Sequence, residues 1–430
     1  MYSNTPQYYL NMISHQKGKA LIKAFMILFT LLSFLHANVL QKAIDNAPEG
    51  SILKLPAGVY KGSITINKPI TIIGKEDGVI IDGEGKGTVI TAKGSYITLK
   101  NLTIIGSGDR HENLDAAIKL SDGKQNEITN CHIDDCLFGI DMQMVNNSIV
   151  QDNVIKSKDV DLGLRGDGLR LWYANDNIIK KNLLTKSRDM VVWYSHGNII
   201  EENIGEYCRY SLHFMYAGKN IVRNNHYRYN SVGIFFMYSK DTIATNNVVK
   251  SSQGATGMGI GLKDVSNFTL KDNTMIYCAQ GMYIDRSPFE PDTNDWIIGN
   301  KILYNAEALH FHSLSENNII KDNIIIGNIE DIVNDSRGSK TNENEIIGNY
   351  WDKYEGFDKD GDNIGDTPHK VYQYADQLWV YNPDVKFFYA SPVISLLNFL
   401  AKLAPFTKPL FLMADEKPKV SVTSIKTRRK

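Results

Sequence analysis

An apolar residue three positions before an asparagine recurs along the middle of this chain: IVQDN ending at Asn153, IIKKN at Asn182, IIEEN at Asn203, IVRNN at Asn225, IATNN at Asn247, TLKDN at Asn273, IIGN at Asn300 and IIKDN at Asn323. Successive asparagines are 21 to 29 residues apart. A period of that size belongs to stacked supersecondary units rather than to a chain that closes around one compact core. Asparagine tolerates the left-handed backbone region, and its amide can hydrogen-bond to an identical amide one unit away. The motif therefore predicts a corner at which asparagines stack rung upon rung. It also accounts for the unusual use of asparagine, about a tenth of the chain against the few per cent typical of globular domains.

A second motif shares the period. The five-residue segments are IDMQM from Ile140, LRLWY from Leu169, MVVWY from Met190, LHFMY from Leu212, IFFMY from Ile234, MGIGL from Met258, MYIDR from Met282 and LHFHS from Leu309. Their first, third and fifth positions are apolar or aromatic almost throughout, which predicts strands with those positions inward and the second and fourth outward. One such strand per repeat makes an all-β fold, a right-handed parallel β-helix of about 12 rungs. The amphipathic stretch LQKAIDNA after Asn38 reads as a short helix closing the open first rung.

Composition agrees with one elongated solenoid of 430 residues. There are 47 Lys and Arg against 48 Asp and Glu, which argues against a nucleic-acid coat and an acidic disordered chain alike. Lys17, Lys19 and Lys23 precede an apolar run from Ala24 to Leu35 that ends in Leu-His-Ala, a pattern predicting a signal peptide over residues 1–37, cleaved after about Ala37. Export would place the protein in an oxidising compartment, yet the cysteines do not pair in this register. Cys136, Cys208 and Cys278 fall in one column shared with Asn230 and Asn305, about three rungs apart, beyond the roughly 7 Å that a disulfide spans between Cα atoms. They and Cys131 are expected to be free core thiols.

The outward columns are not those of a solvated face. The second reads Asp141, Arg170, Val191, His213, Phe235, Gly259, Tyr283, His310, and the fourth reads Gln143, Trp172, Trp193, Met215, Met237, Gly261, Asp285, His312. In a parallel sheet Met215 and Met237 become neighbours, with His213 two residues from Met215 on the same face. Thioether plus imidazole suits Cu(I), and the rings of Trp172 and Trp193 could shield a soft cation or attract it. His213, Met215 and Met237 are therefore candidate copper ligands. The same apolar stripe, with Phe235, also fits a protein-docking face or packing beneath another segment.

An enzymatic reading is weaker. Glycan cleavage requires paired carboxylates at a set spacing, and the only local acid–base grouping is Asp285 and Arg286 with His310 and His312. The stretch Gly83 to Gly87 lacks the Gly-Lys-Ser/Thr ending of a phosphate loop. No enzyme activity is expected; the alternative is a carbohydrate-binding or polysaccharide-modifying protein of the lyase or epimerase type.

Past the last repeat the composition changes. Asp358, Asp360, Asp362 and Asp366, with Gly361 and Gly365 between them, put carboxylates at alternating places in a tight loop, a candidate Ca²⁺ site unlike an EF-hand. Val393, Leu396, Leu397, Leu400 and Leu403 share one face of a predicted helix, either a cap or a docking element. The expected organisation is thus a leader at 1–37, the β-helix at 38–350, an Asp/Gly-rich loop and extended tail at 351–384, an amphipathic helix at 385–414 and a mobile basic tail at 415–430.

These segments carry a resemblance. YSLHFMYAGKN from Tyr210, SVGIFFMYSK from Ser231, GMGIGLKDVS from Gly257 and AQGMYIDRSPFEP from Ala279 resemble the NosD family of periplasmic nitrous oxide reductase maturation proteins. The tail from GNYWDKYEGFDKDGDNIGDTP to SPVISLLNFLAKLAPF resembles it too. The resemblance implies a periplasmic partner of an ABC transporter with separate permease and ATPase subunits, peripheral to the inner membrane through that transporter. It further implies a lipoprotein copper chaperone as donor and nitrous oxide reductase as recipient, with no nucleic-acid partner. Under that role the Trp/Met/His face would receive Cu(I), and the tail helix would contact the permease.

Overall fold

The computed structural model describes residues 39–254, 256–335, 343–373, 391–403 and 410–422. The expected signal peptide lies outside these residues, as do parts of the expected tail. Three parallel sheets run the length of the molecule, two of 13 strands and one of 12, each built from every third strand of the chain. The fold is the expected right-handed parallel β-helix, with 13 rungs in place of about 12.

Aliphatic columns fill the interior. In the first sheet Ile179, Ile200, Val222, Ala244, Leu270, Ile297 and Ile320 lie in register from rung to rung, and all are buried. Each larger member contributes about 1.5–3 kcal/mol by leaving water. At the first rung the helix Val39–Asn46 buries Leu40 and Ile44. Gln41 donates to the Thr65 carbonyl and accepts from its amide at 3.0 and 2.7 Å, occupying the open edge of strand Ile64–Ile66. Without such a lid the first rung would offer a free edge to other chains.

The asparagine motif forms a continuous ladder from Asn153 to Asn349. Asn203 is typical: its Oδ1 accepts both the backbone and side-chain nitrogens of Asn182 at 3.0 Å. Its own Nδ2 donates to the Ile179 carbonyl and to Asn225 Oδ1. The left-handed residue, however, is the one before each asparagine, such as Asp152, Lys181, Glu202 and Asn224. The turn residue projects to solvent and leaves the following amide aimed inward, where it can bond. The cysteine column is as expected: all four thiols are free and buried, and the amides of Cys208 and Cys278 donate to Asn230 and Asn305 Oδ1 at 2.8 Å.

Three expectations for the third sheet need correction. Ile234 pairs with Ile260, not Met258, so the outward columns contain Gly261 and Lys263 at that rung rather than Gly259 and Gly261. A two-residue slip preserves the alternation and is invisible to a parity argument. The fifth-position tyrosines do not point inward. Tyr173, Tyr194, Tyr216 and Tyr238 have φ near +50° and stack outside the sheet, with ring centroids 4.9–5.2 Å apart. Finally, second-column residues Asp141, Val191, His213, Phe235 and His310 point away from the core yet are buried, with Arg170 on Asp141, Trp193 and Tyr210 on His213, Met258 on Phe235 and Asp335 on His310.

The solenoid closes differently from expectation. Strands His369–Gln373 and Leu410–Asp415 pair antiparallel over the last rung, burying Leu412 and Met413 in the core. Lys419 bonds to the Asn349 carbonyl and Asp322, so this part of the expected mobile tail is fixed. The described helix spans Pro392–Leu403, within the expected 385–414, and residues Leu410–Asp415 of that range form a strand instead. Its expected apolar face, Val393, Leu396, Leu397, Leu400 and Leu403, is between 41% and 66% exposed.

Candidate functional site

The outer face of the third sheet concentrates the chemistry. At its middle, Leu212 pairs with Ile234, His213 with Phe235 and Met215 with Met237, so the two methionines are rung neighbours as the sequence predicts. His213 Nε2 lies 3.3 Å from the Met237 sulfur. His213 Nδ1 is buried without a partner. The imidazole is only 7% exposed, stacked on Tyr210 at 4.9 Å and met edge-on by Trp193 at 5.8 Å. Burial pushes its pKa down to about 4; Asp189 pulls it upward, and Arg209 and Arg188 push it down further. The ring is therefore neutral at physiological pH, with lone-pair electrons free to bind a metal.

The surroundings are aromatic and ionic in layers. Trp172 contacts Trp193 at 5.8 Å, and Arg170, paired to the fully buried Asp141 at 2.9 Å, sits 4.5 Å over the Trp172 ring. The guanidinium already covers one face of that ring, so of the two tryptophans it is Trp193 that meets His213, beside Tyr210 and Phe235. Phe235 packs with Val232 and Met258 in a small apolar cluster that Tyr210, Met237 and Tyr283 complete. Asp189 pairs with Arg209 at the edge of this cluster. The sequence reading missed Tyr210 because it precedes the five-residue motif by two positions.

Toward the C-terminal end the same columns carry His310 and His312. His310 Nδ1 is 2.6 Å from Glu307 Oε2, and its Nε2 is 3.2 Å from Asp335 Oδ2. His312 Nδ1 lies 2.9 Å from Asp335 Oδ1. Burial alone would depress His310, but hydrogen bonds to Asp335 and Glu307 override it and raise its pKa to about 9. Asp285 is in register with His312 but is paired with Lys263. The grouping expected around Asp285 and Arg286 is thus divided: Arg286 pairs with Asp264, and Glu307 and Asp335 take the carboxylate places beside the histidines. Asp335 closes the last strand of this sheet, and nothing in its local sequence marks it.

The acidic loop brings Asp358, Asp360 and Asp362 together, one oxygen from each within 4.8 Å of the others. Asp358 accepts from the amides of Gly361 and Asn363 at 2.7 Å, whereas Asp366 turns to the Lys359 amide at 2.7 Å. Among the described residues no helix is long and apolar enough to cross a membrane.

A family model described as periplasmic copper-binding protein (NosD) matches residues 145–356, and one described as right-handed beta helix region matches residues 74–182. The chain is 31% identical over 376 residues to a "probable ABC transporter binding protein NosD" of Pseudomonas aeruginosa, covering 82% of this chain and 85% of that protein. It is 29% identical over 378 residues to a protein of the same description from Stutzerimonas stutzeri, covering 83% and 84%. Among solved structures, the catalytic unit of a GH87 alpha-1,3-glucanase from Streptomyces thermodiastaticus superposes with a TM-score of 0.57 at 13% identity, over 71% of this chain and 65% of that one. At that identity the likeness concerns the fold alone.

Proposed function

The chain belongs to the NosD family, whose model describes periplasmic copper-binding proteins, and from that premise we propose that it is an assembly factor for the copper centres of nitrous oxide reductase. In this reading it is exported by cleavage after about Ala37 and works beside an ABC permease and its ATPase. It accepts Cu(I) from a lipoprotein chaperone and delivers it by ligand exchange, without bond chemistry of its own.

The observation that carries the proposal is the juxtaposition of His213 Nε2 and Met237 Sδ at 3.3 Å, with Met215 beside Met237. With bond lengths of about 2.0 Å to imidazole and about 2.3 Å to sulfur, an angle of roughly 100° at one ion sets its two donors ~3.3 Å apart. A neutral imidazole with thioethers and no carboxylate favours a soft monovalent ion and releases it more readily than thiolates would. Trp193 and Tyr210 keep water from the imidazole. The cysteines, which would hold copper too firmly, stay in the core. In the same reading the exposed face of helix Pro392–Leu403 docks on the permease, and Asp358, Asp360 and Asp362 hold a structural Ca²⁺.

Anaerobic Cu(I) titration against a competing chelator tests the ligand set. Substituting His213→Ala, Met215→Ala or Met237→Ala is expected to weaken binding about tenfold or more, each lost ligand removing over ~1.4 kcal/mol. Unchanged affinity in all three would overturn the assignment. Reductase maturation reconstituted with the Met215 and Met237 variants then tests delivery. Carbohydrate processing is less favoured, because Asp285 is engaged by Lys263 and Asp335 by two histidines, leaving no free carboxylate pair among those residues.

A further inference from the structure

We infer that His310, His312 and Asp335 form a second metal site, separate from the thioether site, for a divalent first-row ion of borderline softness such as Zn²⁺ or Cu²⁺. One ligand atom from each residue lies within 4.8 Å of the other two. The residues come from the ends of two adjacent strands, Glu307–His312 and Glu330–Asn334, the latter followed directly by Asp335. Stacking the two rungs places the carboxylate over both imidazoles.

The donor set decides the type of ion. Two imidazole nitrogens and one carboxylate oxygen, without sulfur, suit zinc or cupric copper, and the negative charge of Asp335 partly neutralises a dication. Glu307 supplies the supporting contact. Its oxygen, 2.6 Å from His310 Nδ1, fixes the ring so that Nε2 faces Asp335, the carboxylate–histidine–metal arrangement that raises imidazole basicity and sets its orientation. Gln280 steadies that carboxylate with a hydrogen bond of 3.0 Å to Glu307, and the Tyr283 ring lies against both histidines at 5.4 and 5.8 Å. Three protein ligands leave a fourth position open, which makes the ion exchangeable or able to hold a further ligand.

This site does not depend on the copper reading. His213 and His310 occupy one column four rungs apart, through Phe235, Gly261 and Tyr283. At about 4.8 Å per rung the separation is roughly 19 Å, too far for one ion to be shared.

The test is Zn²⁺ calorimetry and Co²⁺ absorption spectroscopy on the chelator-treated mature chain. The expected result is one Co²⁺ site with visible absorption bands, displaced by Zn²⁺. Affinity should fall about tenfold or more in His312→Ala and in Asp335→Asn, and by a similar factor in Glu307→Gln. His213→Ala and Met237→Ala should leave it unchanged. His312 and Asp335 lie at the surface, so their variants keep the fold, as a melting curve verifies. Absence of Co²⁺ bands, or equal Zn²⁺ affinity in the wild type and Asp335→Asn, would overturn the site and leave the cluster as a charged histidine clamped between carboxylates.

Discussion

Asp415 is the last rung of the asparagine ladder: its Oδ2 accepts from the backbone and side-chain nitrogens of Asn349, both at 2.9 Å. The same carboxylate also takes the indole N–H of Trp351 at 3.0 Å and the amide of Gly348 at 2.9 Å. A column that begins at Asn153 therefore ends on a residue 66 positions beyond its last asparagine, delivered by a strand of the antiparallel pair.

Replacing Asp415 by alanine takes the acceptor from five donors, three of them on buried Asn349 and Trp351. Each unpaired buried group costs about 1–3 kcal/mol, so the loss is several kcal/mol in total. Hydrogen exchange is expected to accelerate first in the terminal rungs around Asn323 to Trp351, with the N-terminal rungs protected as before. Uniform loss along the solenoid would contradict a capping role.

Interruption inside the ladder is expected to cost at least as much. In Asn203→Ala the backbone and side-chain nitrogens of Asn182 and the carbonyl of Ile179 lose partners within the core. A destabilisation of about 3 kcal/mol or more in denaturant titration is expected, against under about 0.5 kcal/mol for Glu202→Asn at the preceding left-handed turn.

Asp295 makes stability depend on pH. It stands in an asparagine column, next to Asn318, and both Asp295 Oδ2 and Asn318 Oδ1 are buried without a donor. A proton on the carboxyl supplies the donor that an asparagine amide supplies elsewhere. Burial pushes its pKa up to about 7, opposed by the Phe268 amide. The folded state thus binds a proton that the unfolded state has released above pH ~4, and stability falls as pH rises from about 4 to about 7, levelling off above. Asp295→Asn should remove this component, worth a few kcal/mol at most, and raise Tm at pH 8 more than at pH 4. Equal shifts at both pH values would show that the carboxyl does not change protonation.

The four thiols are expected to be inert in the native state. Burial raises all of them, Cys131 and Cys136 to about 12 and Cys278 to about 11. A thiol reagent should titrate none before unfolding and four afterwards; fast reaction of any one in the native protein would contradict its placement in the core.

The helix Pro392–Leu403 should contribute little to solenoid stability, since its apolar face is exposed. Leu396→Asp with Leu400→Asp is expected to shift Tm by less than about 2 °C while abolishing the docking on the permease proposed above. A large fall in Tm would mean that the helix packs on the body.

What the sequence determined by itself is the repeat. The alternation of Ile140–Met142 or Leu212–Phe214 and the asparagine spacing are local periodicities, and a parallel rung satisfies both at once, so the fold, the core columns, the cysteine column and the Met215–Met237 adjacency were legible. Tertiary structure alone decided what each outward position meets. Rungs differ in length, so loops absorb residues without changing alternation, and the true partner of Ile234 became visible only when the strands stacked. Burial of His213 and His310 comes from side chains one rung away in space but some 22 to 27 residues away in sequence, such as Met237 and Asp335. The cap is the furthest case: Asp415 has no repeat around it, and only chain return across the last rung makes an aspartate serve as an asparagine. Within a strand, short-range spacing fixes which way a side chain points, although the left-handed turn at the strand end sends the fifth-position tyrosines outward; long-range contact fixes whether a side chain is wet, charged or paired.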